Sequence, residues 1–195
     1  MKNSNTFKNV MLRECSAGKN VSLIVVDAQR DFVSGALSNP AAQIAVPRIQ
    51  QVIDVVRSLN GKVIFTKDTH YTDAKNGTLA YLDSQEGLKL PVPHCIKGTP
   101  GHDIVPQLTV DSADIVIEKN SFGYTNWRNI HFKANEVIFI VGFCTDICVV
   151  SNALAIKAEY PELPIYVIAE CCAGVTPETH EAALTTMKSC QIEVI

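Results

Sequence analysis

The sequence predicts an α/β protein with three layers, in which a central, mostly parallel six-stranded sheet is covered by helices on both faces. Two observations support this fold class. Short β-branched and apolar runs, such as Ser22–Asp27 and Val137–Phe143, are typical of strands that are buried on both faces of a parallel sheet. These runs alternate with amphipathic segments of helical spacing, and that alternation favours parallel strands joined by helices.

Each element has its own local signal. The six predicted strands are Ser22–Asp27, Lys62–Thr66, Asp114–Glu118, Glu136–Val141, Pro164–Ala169 and Gln191–Ile195. The three predicted helices are Ile44–Leu59, Ile147–Glu159 and Pro177–Ser189. In the first helix, Pro47 lies near the start and Gly61 follows the end. Thr145 or Asp146 is expected to cap the second helix, and Thr176 the third.

Composition excludes several classes of protein. Of the 195 residues, 47% are hydrophobic and 19% are charged, which is enough apolar material for a sizeable core. The 17 lysines and arginines are nearly matched by 20 acidic residues, for a net charge of −3. Because no basic stripe is present, neither nucleic acid nor a membrane is expected as a partner. The apolar runs are far shorter than the ~18 residues of a membrane-spanning helix.

The chain is expected to form a single domain over residues 1–195, with residues 1–20 as a polar N-terminal extension. This extension contains no apolar run of the kind found in signal peptides. The seven cysteines, an odd number, are interpreted as reduced thiols of a cytoplasmic protein. We also expect the protein to be a homo-oligomer.

Candidate functional residues follow the predicted strands. Asp27, Asp68, Lys119 and the segment 142–148 each lie where a strand ends. In α/β folds, ligands bind at the carboxyl ends of the strands, where the strand order reverses. The long stretch from Lys67 to about Asp111 has little periodicity, and loops of this size tend to be functional.

Cys148 is the thiol with the most informative position. It lies in the first turn of a predicted helix, directly after a buried strand, where the helix dipole and free amides favour a thiolate. The alternative is that Cys148 is a small buried apolar residue, as most free cysteines are. Cys144 lies four residues earlier, so a redox pair is a further hypothesis, although the spacing differs from thioredoxin-type motifs.

Asp27 and Lys119 complete a possible catalytic group with Cys148. A carboxylate at the end of an apolar strand is either a turn cap or a general base with a raised pKa. Lys119 is either a solvent-facing charge or a cation that tunes its neighbours. Together, a thiol, a carboxylate and an ammonium would form a nucleophile, its base and an electrostatic partner.

A second group has the composition of a metal site. Asp68 and His70 leave the same side of an extended backbone, and His94 lies in a proline-bracketed turn. Glu86 is a candidate fourth ligand. Two histidines with carboxylates suit Zn²⁺ or another divalent first-row ion. The alternative is that Asp68 and His70 are hydrogen-bonding turn residues and His94 is a surface residue.

These residues resemble those of the isochorismatase-like cysteine hydrolases, and within them the nicotinamidases, over nearly all of the chain after residue 20. Five segments carry the resemblance: Val26–Phe32, Lys67–His70, Pro93–Gly101, Glu118–Gly123 and Val141–Val149. The resemblance implies an amidohydrolase that converts nicotinamide to nicotinate and ammonia through a cysteine thioester. It also implies a divalent metal ion, with zinc first and iron or manganese as alternatives.

The resemblance assigns roles to individual residues. Cys148 would be the nucleophile, Asp27 its base and Lys119 the neighbour that tunes both. A cis peptide bond between Phe143 and Cys144 would direct the amides of Cys144 and Cys148 into an oxyanion hole. The implied metal ligands are Asp68, His70, Glu86 and His94. The implied substrate-binding residues are Phe32, Tyr124 and Trp127.

The chain departs from the nicotinamidase pattern at two places. Glu86 stands in for a third histidine, and Leu90 and Pro91 occupy positions where an aromatic residue often precedes the Pro-His turn. Three alternatives therefore stay open. They are an amide or carbamoyl hydrolase of the same fold without metal, a non-catalytic binding module, and a redox protein that uses Cys144 and Cys148.

Overall fold

The computed structural model describes residues 6–75 and 77–195, and its centre is a six-stranded sheet with the order β3-β2-β1-β4-β5-β6. All of the strand pairings in this sheet are parallel. The strands are β1 (Asn20–Val26), β2 (Lys62–Asp68), β3 (Ile115–Lys119), β4 (Glu136–Phe143), β5 (Ile165–Ala173) and β6 (Glu193–Val194). The predicted fold class is confirmed, and the sheet is more regular than "mostly parallel" implies.

The helices cover both faces of this sheet. They are α1 (Thr6–Ser16), α2 (Arg30–Val33), α3 (Pro40–Ser58), α4 (Gln85–Lys89), α5 (Val150–Glu159) and α6 (Pro177–Ser189). Residues of α1 and α3 share one apolar core with one face of the sheet. Residues of α5 and α6 share a second core with the other face. Every residue of β4 is buried, including Glu136 at its start, and the apolar run from Val137 onward predicts this burial.

The N-terminal segment differs from the prediction of a polar extension. Residues 1–5 lie outside the described part of the chain, but Thr6–Ser16 forms helix α1. The side chains of Phe7 and Met11 are buried in the first core. The apolar stripe of α1 is narrow and the rest of the helix is polar. The average polarity of the segment therefore gave no indication that one face of it is buried.

Helix α3 begins four residues before the predicted start. The side chain of Asn39 accepts hydrogen bonds from the amides of Ala41 and Ala42, and Pro40 occupies the first turn. Pro47, which was expected near the start, therefore lies inside the helix. The cap of α6 is as predicted, because Thr176 forms a capping box with Thr179.

Two strand boundaries also differ from the sequence prediction. Strand β5 continues to Ala173, so Cys171 and Cys172 lie within the strand. The last strand contains only Glu193 and Val194.

The long segment after β2 folds back against the end of that strand. The amide of His70 donates to the carbonyl of Cys95, and the amide of Lys97 donates to the carbonyl of His70. These two bonds form a short parallel bridge outside the main sheet. As a result, His94 is brought beside His70 although 24 positions separate them in the sequence.

None of the helices in the described part of the chain is both long and apolar enough to cross a membrane.

Candidate active site

The candidate site lies where the strand order reverses, between the carboxyl ends of β1 and β4. Gly142, near the end of β4, has a φ of +120°, and a Cβ atom there would lie 2.0 Å from the carbonyl oxygen of Val26. Only glycine permits this close approach of the two strands. Asp27 directly follows β1, has a φ of 47° and turns its carboxylate into the site. Both strained positions therefore serve to bring the end of β4 next to Asp27.

Asp27, Lys119 and Cys148 meet at this point. Lys119 Nζ lies 2.7 Å from Asp27 Oδ2 and 3.7 Å from Cys148 Sγ. All three side chains are buried. The hydroxyl of Thr66 donates to the other carboxylate oxygen of Asp27 at 2.6 Å, which fixes the orientation of that carboxylate. Three residues from three different strand ends are thus within direct reach of one another.

Burial controls the protonation of this group. It raises the pKa of the Cys148 thiol well above its usual value, and the negative charge of Asp27 adds to this effect. The same burial raises the pKa of Asp27, although the adjacent Lys119 opposes the rise. For Lys119, burial disfavours the ammonium, but the charges of Asp27, Cys148 and Asp68 outweigh it and the pKa is raised. The thiol is therefore protonated at rest, contrary to the expectation from the helix dipole, and it needs a base.

The turn that carries Cys148 is not a regular α-helix start. The peptide bond between Phe143 and Cys144 is cis, as the resemblance implies. Residues Thr145–Val149 form a π-helical turn, which we call the nucleophile turn. The carbonyl of Cys144 accepts hydrogen bonds from the amides of Ile147 and Val149. The residues before and after Cys148 are thus both hydrogen-bonded to Cys144, and these bonds fix the position of Cys148.

The expected helix cap at Thr145 or Asp146 is wrong. The Thr145 hydroxyl is hydrogen-bonded to His180 Nδ1 at 2.8 Å, and the Asp146 carboxylate accepts from the amide of Val175. Both side chains are used for contacts to the segment around the start of α6 rather than for the amides of their own helix. These tertiary partners lie about thirty residues away and are not visible in the local sequence.

The four predicted metal ligands form one cluster. One ligand atom from each of Asp68, His70, Glu86 and His94 lies within 4.8 Å of all the others. His70 Nε2 is 2.9 Å from Asp68 Oδ2, and His94 Nε2 is 3.5 Å from Glu86 Oε1. Asp68 and both histidines are buried, whereas Glu86 is partly exposed. The structure thus places Glu86 with the other three.

The chemistry of this cluster fits a cation. His94 Nδ1 donates to the carbonyl of Val92 at 2.9 Å, so in the neutral ring Nε2 carries a lone pair. That lone pair faces the carboxylates of Asp68 and Glu86, an arrangement that needs either a proton or a metal ion between them. Without a metal, burial opposes a charged ring, but the two carboxylates raise the pKa of His94 to about 10. Two imidazoles and two carboxylates suit zinc, iron and manganese.

The metal cluster and the catalytic group touch each other. Asp68 Oδ1 lies 3.6 Å from Lys119 Nζ, while its other oxygen faces the two histidines. Burial disfavours ionisation of Asp68, but hydrogen bonds from His70 and His94 and the charge of Lys119 hold its pKa far below the usual range. Asp68 is therefore an anionic bridge between the two halves of the site.

Two supporting residues were not identified from the sequence. The side chain of Gln29 accepts from the amide of Asp68 and donates to its carbonyl. The carboxylate of Asp31 accepts from the amide of Cys95 at 2.7 Å, next to His94. Gln29 and Asp31 both lie in Val26–Phe32, a segment that carries the family resemblance. The sequence motif therefore pointed to this segment, but it did not show that these two side chains hold the backbone. Each holds the backbone at or beside a predicted metal ligand in place.

A cavity of about 370 Å³ opens over these groups, and it corrects part of the predicted substrate pocket. Phe32 lines it, as predicted, with Leu90 and Phe122. Trp127 does not, because it is buried in the second core and stacks on Phe132. Tyr124 does not line it either and instead packs edge-on against Trp127. The prediction that Tyr124 and Trp127 line the substrate pocket is therefore wrong for this cavity.

Comparison with known proteins agrees with this geometry. A sequence model of the isochorismatase domain matches residues 21–195. The chain belongs to the isochorismatase family. The resemblance predicted from the sequence, with the nicotinamidases as the nearest branch, is confirmed.

Curated relatives of this chain include proteins named as nicotinamidases. The chain is 28% identical to the nicotinamidase/pyrazinamidase of Mycobacterium tuberculosis, over 89% of this chain and 97% of that protein. It is also 28% identical to the nicotinamidase of Schizosaccharomyces pombe, over 89% of this chain and 92% of that protein. A solved structure of the pyrazinamidase of Pyrococcus horikoshii in complex with zinc superposes with a TM-score of 0.75. It is 25% identical over 90% of this chain and 98% of that chain.

Proposed function

We propose that the protein hydrolyses nicotinamide to nicotinate and ammonia through a thioester on Cys148. The observation that carries this proposal is the contact between Lys119 and both Asp27 and Cys148, next to a cavity that is lined by Cys148 and by three of the four candidate metal ligands, Asp68, Glu86 and His94. The family and the names of the relatives support the broader statement that the protein is a hydrolase acting on amides. The choice of nicotinamide within that class is the part proposed here.

The first half-reaction forms the thioester. Asp27 accepts the proton of Cys148, and Sγ attacks the carboxamide carbon. The amides of Cys144 and Cys148 hold the developing oxyanion, a contribution of about 3 kcal/mol per donor. The C–N bond then breaks, and the proton held by Asp27 leaves with the amine as ammonia. Lys119 compensates the negative charge in the buried site, which is on Asp27 at rest and on the Cys148 sulfur after the proton has moved.

The second half-reaction releases the acid. Water adds to the thioester carbon, and Asp27 takes its proton and returns it to the sulfur as the C–S bond breaks. The other proton of the water stays on the acid product, which releases it to solvent and leaves as nicotinate, and the thiol and the Asp27 carboxylate are restored. Asp68, His70, Glu86 and His94 would hold a divalent ion, which would supply a Lewis acid for a ring nitrogen of the substrate and so orient the amide. We propose zinc as this ion, with iron and manganese as alternatives.

The test is ammonia release from nicotinamide compared with a panel of other amides and carbamoyl compounds. The purified protein is assayed as isolated, after chelation, and after addition of zinc, iron or manganese. We expect nicotinamide to be the preferred substrate and activity to depend on the metal. A preference for a carbamoyl compound, with activity unaffected by chelation and no stoichiometric metal on elemental analysis, would overturn the proposal in favour of the metal-free alternative.

A further inference from the structure

We propose that His180 is a positioning residue that acts on Cys148 through Thr145. In the structure, its Nδ1 atom is hydrogen-bonded to the hydroxyl of Thr145 at 2.8 Å. Thr145 is the first residue of the nucleophile turn and directly follows Cys144. The inference rests on the proposed function in that Cys148 is the nucleophile.

The hydrogen bond to His180 has few substitutes. Thr145 is completely buried, so its hydroxyl has no access to water as a replacement partner. A buried hydroxyl without a partner is unfavourable, and this favours a different arrangement of the turn. Removing the imidazole therefore leaves the turn with an unsatisfied group one residue from the oxyanion-hole amide of Cys144.

The helix that carries His180 is held closely against the site. A Cβ atom on Gly174 would lie 2.8 Å from His180 Cβ, so the backbone of Gly174 packs directly on this residue. The side chain of Asn39 donates to the carbonyl of Gly174 at 2.8 Å, which connects the same loop to the start of α3. His180 therefore projects from a fixed base.

A second contact connects the same two segments. The amide of Val175 donates to the carboxylate of Asp146 at 3.1 Å. The first two residues of the nucleophile turn are thus both bonded to the segment 175–180. Cys148 lies two residues further along the same turn, so these bonds determine where Sγ stands relative to Asp27 and Lys119.

His180 is separated from the reacting atoms by Thr145, and it is not among the residues that line the cavity. Its part is therefore to position rather than to transfer protons. The Thr145 hydroxyl can donate to a neutral ring nitrogen or accept from a protonated one, so the hydrogen bond does not depend on the charge of the ring. A neutral side chain with a polar atom in the place of Nδ1 is then expected to preserve function.

The experiment compares His180→Ala with His180→Asn, whose amide can occupy the place of Nδ1. For His180→Ala we expect kcat to fall roughly 10- to 100-fold, the scale of a small misplacement of a reacting group. Bound metal is expected to stay at the wild-type value, since the metal cluster is not touched, and KM is expected to change far less than kcat, since His180 itself does not line the cavity. His180→Asn is expected to recover most of kcat. Glu181→Ala, at the exposed neighbouring position of α6, is the matched control and is expected to retain wild-type kinetics.

A double-mutant cycle tests whether His180 acts through Thr145. We expect Thr145→Val to lower kcat as much as His180→Ala does, and the double variant to be no slower than either single variant. Wild-type kcat in a folded His180→Ala protein would overturn the proposal. So would losses that multiply in the double variant, or a His180→Asn protein as slow as His180→Ala.

A substrate-independent measurement separates this inference from the proposed function. The rate at which iodoacetamide alkylates Cys148, followed by mass spectrometry of its peptide, needs no turnover. We expect His180→Ala to change this rate several-fold and His180→Asn to restore it. If the wild type hydrolyses no amide, the proposed function fails while this comparison still decides the role of His180. Equal alkylation rates in all three proteins would count against it.

Discussion

The ammonium of Lys119 lies 2.7 Å from the carboxylate of Asp27, with both side chains almost fully buried. Neither charge has water to solvate it, so each depends on the other. The ion pair is therefore a structural feature as well as part of the proposed mechanism, and it leads to the first prediction.

Replacing Lys119 by methionine is expected to destabilise the protein by about 3–5 kcal/mol, because Asp27 would be left as an unpaired buried charge. Urea unfolding measures the effect. Lys97→Met is the matched control, since Lys97 pairs with Glu118 at an exposed position where ion pairs contribute little to stability. Equal losses in the two variants would contradict the assigned burial of the Asp27–Lys119 pair.

Cys148→Ala is expected to abolish turnover while leaving the fold and the bound metal unchanged, because only the sulfur atom of the proposed thioester is lost. Activity, circular dichroism and elemental analysis check these points together. Cys190→Ala, at an exposed position after α6, serves as the control for loss of a thiol. Turnover within a few-fold of the wild type would remove Cys148 as the nucleophile.

His94→Ala is expected to lower the bound metal and raise KM strongly, since Nε2 faces both Asp68 and Glu86 in the ligand cluster. Metal content is measured by elemental analysis after equilibration with limiting zinc. His131→Ala, at an exposed histidine, is the control. If the metal content of His94→Ala matches that of the control, His94 is not a ligand.

Two substitutions test which aromatic residue lines the cavity and which one belongs to the core. Phe122→Ala, on the cavity wall, is expected to raise KM with little change in stability, because 45% of Phe122 is exposed. Trp127→Ala is expected to cost about 3–5 kcal/mol of unfolding free energy, because this indole is buried in the second core. Steady-state kinetics and urea unfolding of both variants test the difference. A Trp127→Ala protein with wild-type stability and a raised KM would instead indicate that Trp127 contacts the substrate.

Glu14 is expected to make stability depend on acid pH. A hydrogen bond from Lys19 is the largest cause that lowers its pKa from 4.5 to about 2, with burial opposing and Arg13 assisting. A lowered pKa in the folded state means that the stabilisation is present above about pH 4.5 and is lost as the pH falls towards 2. Thermal unfolding of the wild type and Glu14→Gln should therefore differ at pH 7 and converge in this acid range.

Lys19→Met provides the check on this pH effect. In the Lys19→Met background, the stability lost on adding Glu14→Gln is expected to shrink at pH 7, since the main partner of the carboxylate is gone. A gap between wild type and Glu14→Gln that stays constant from pH 7 to pH 2 would contradict the mechanism.

The local sequence, with the family resemblance, was sufficient to predict the strands, the residues at their carboxyl ends and the residues that form the possible metal-binding cluster. Apolar runs such as that of β4 are typical of strands buried on both faces of a parallel sheet. Parallel strands place their carboxyl ends on one edge of the sheet. Asp27, Lys119 and Cys148 could therefore be predicted to converge without any knowledge of distances. Their residue types then limited the chemistry to a thiol nucleophile, a base and a cation.

Other features depended on contacts between distant segments. The sequence around Thr145 indicates a helix cap, but the imidazole of His180 and the amide of Val175 are the partners that the fold supplies. Trp127 is aromatic and lies eight residues after Lys119 in the sequence, yet it packs into the second core. The pKa of Cys148 is set by its burial beside Asp27 and not by the start of its helix.

What the amino-acid sequence determined by itself was the identity of the reacting groups and the strand ends that hold them, because side-chain chemistry and hydrophobic pattern are local properties. What only the tertiary structure decided was which polar atom meets which, and which aromatic ring faces the cavity. Those outcomes depend on desolvation and on packing between segments far apart in the chain, and both are properties of the whole fold.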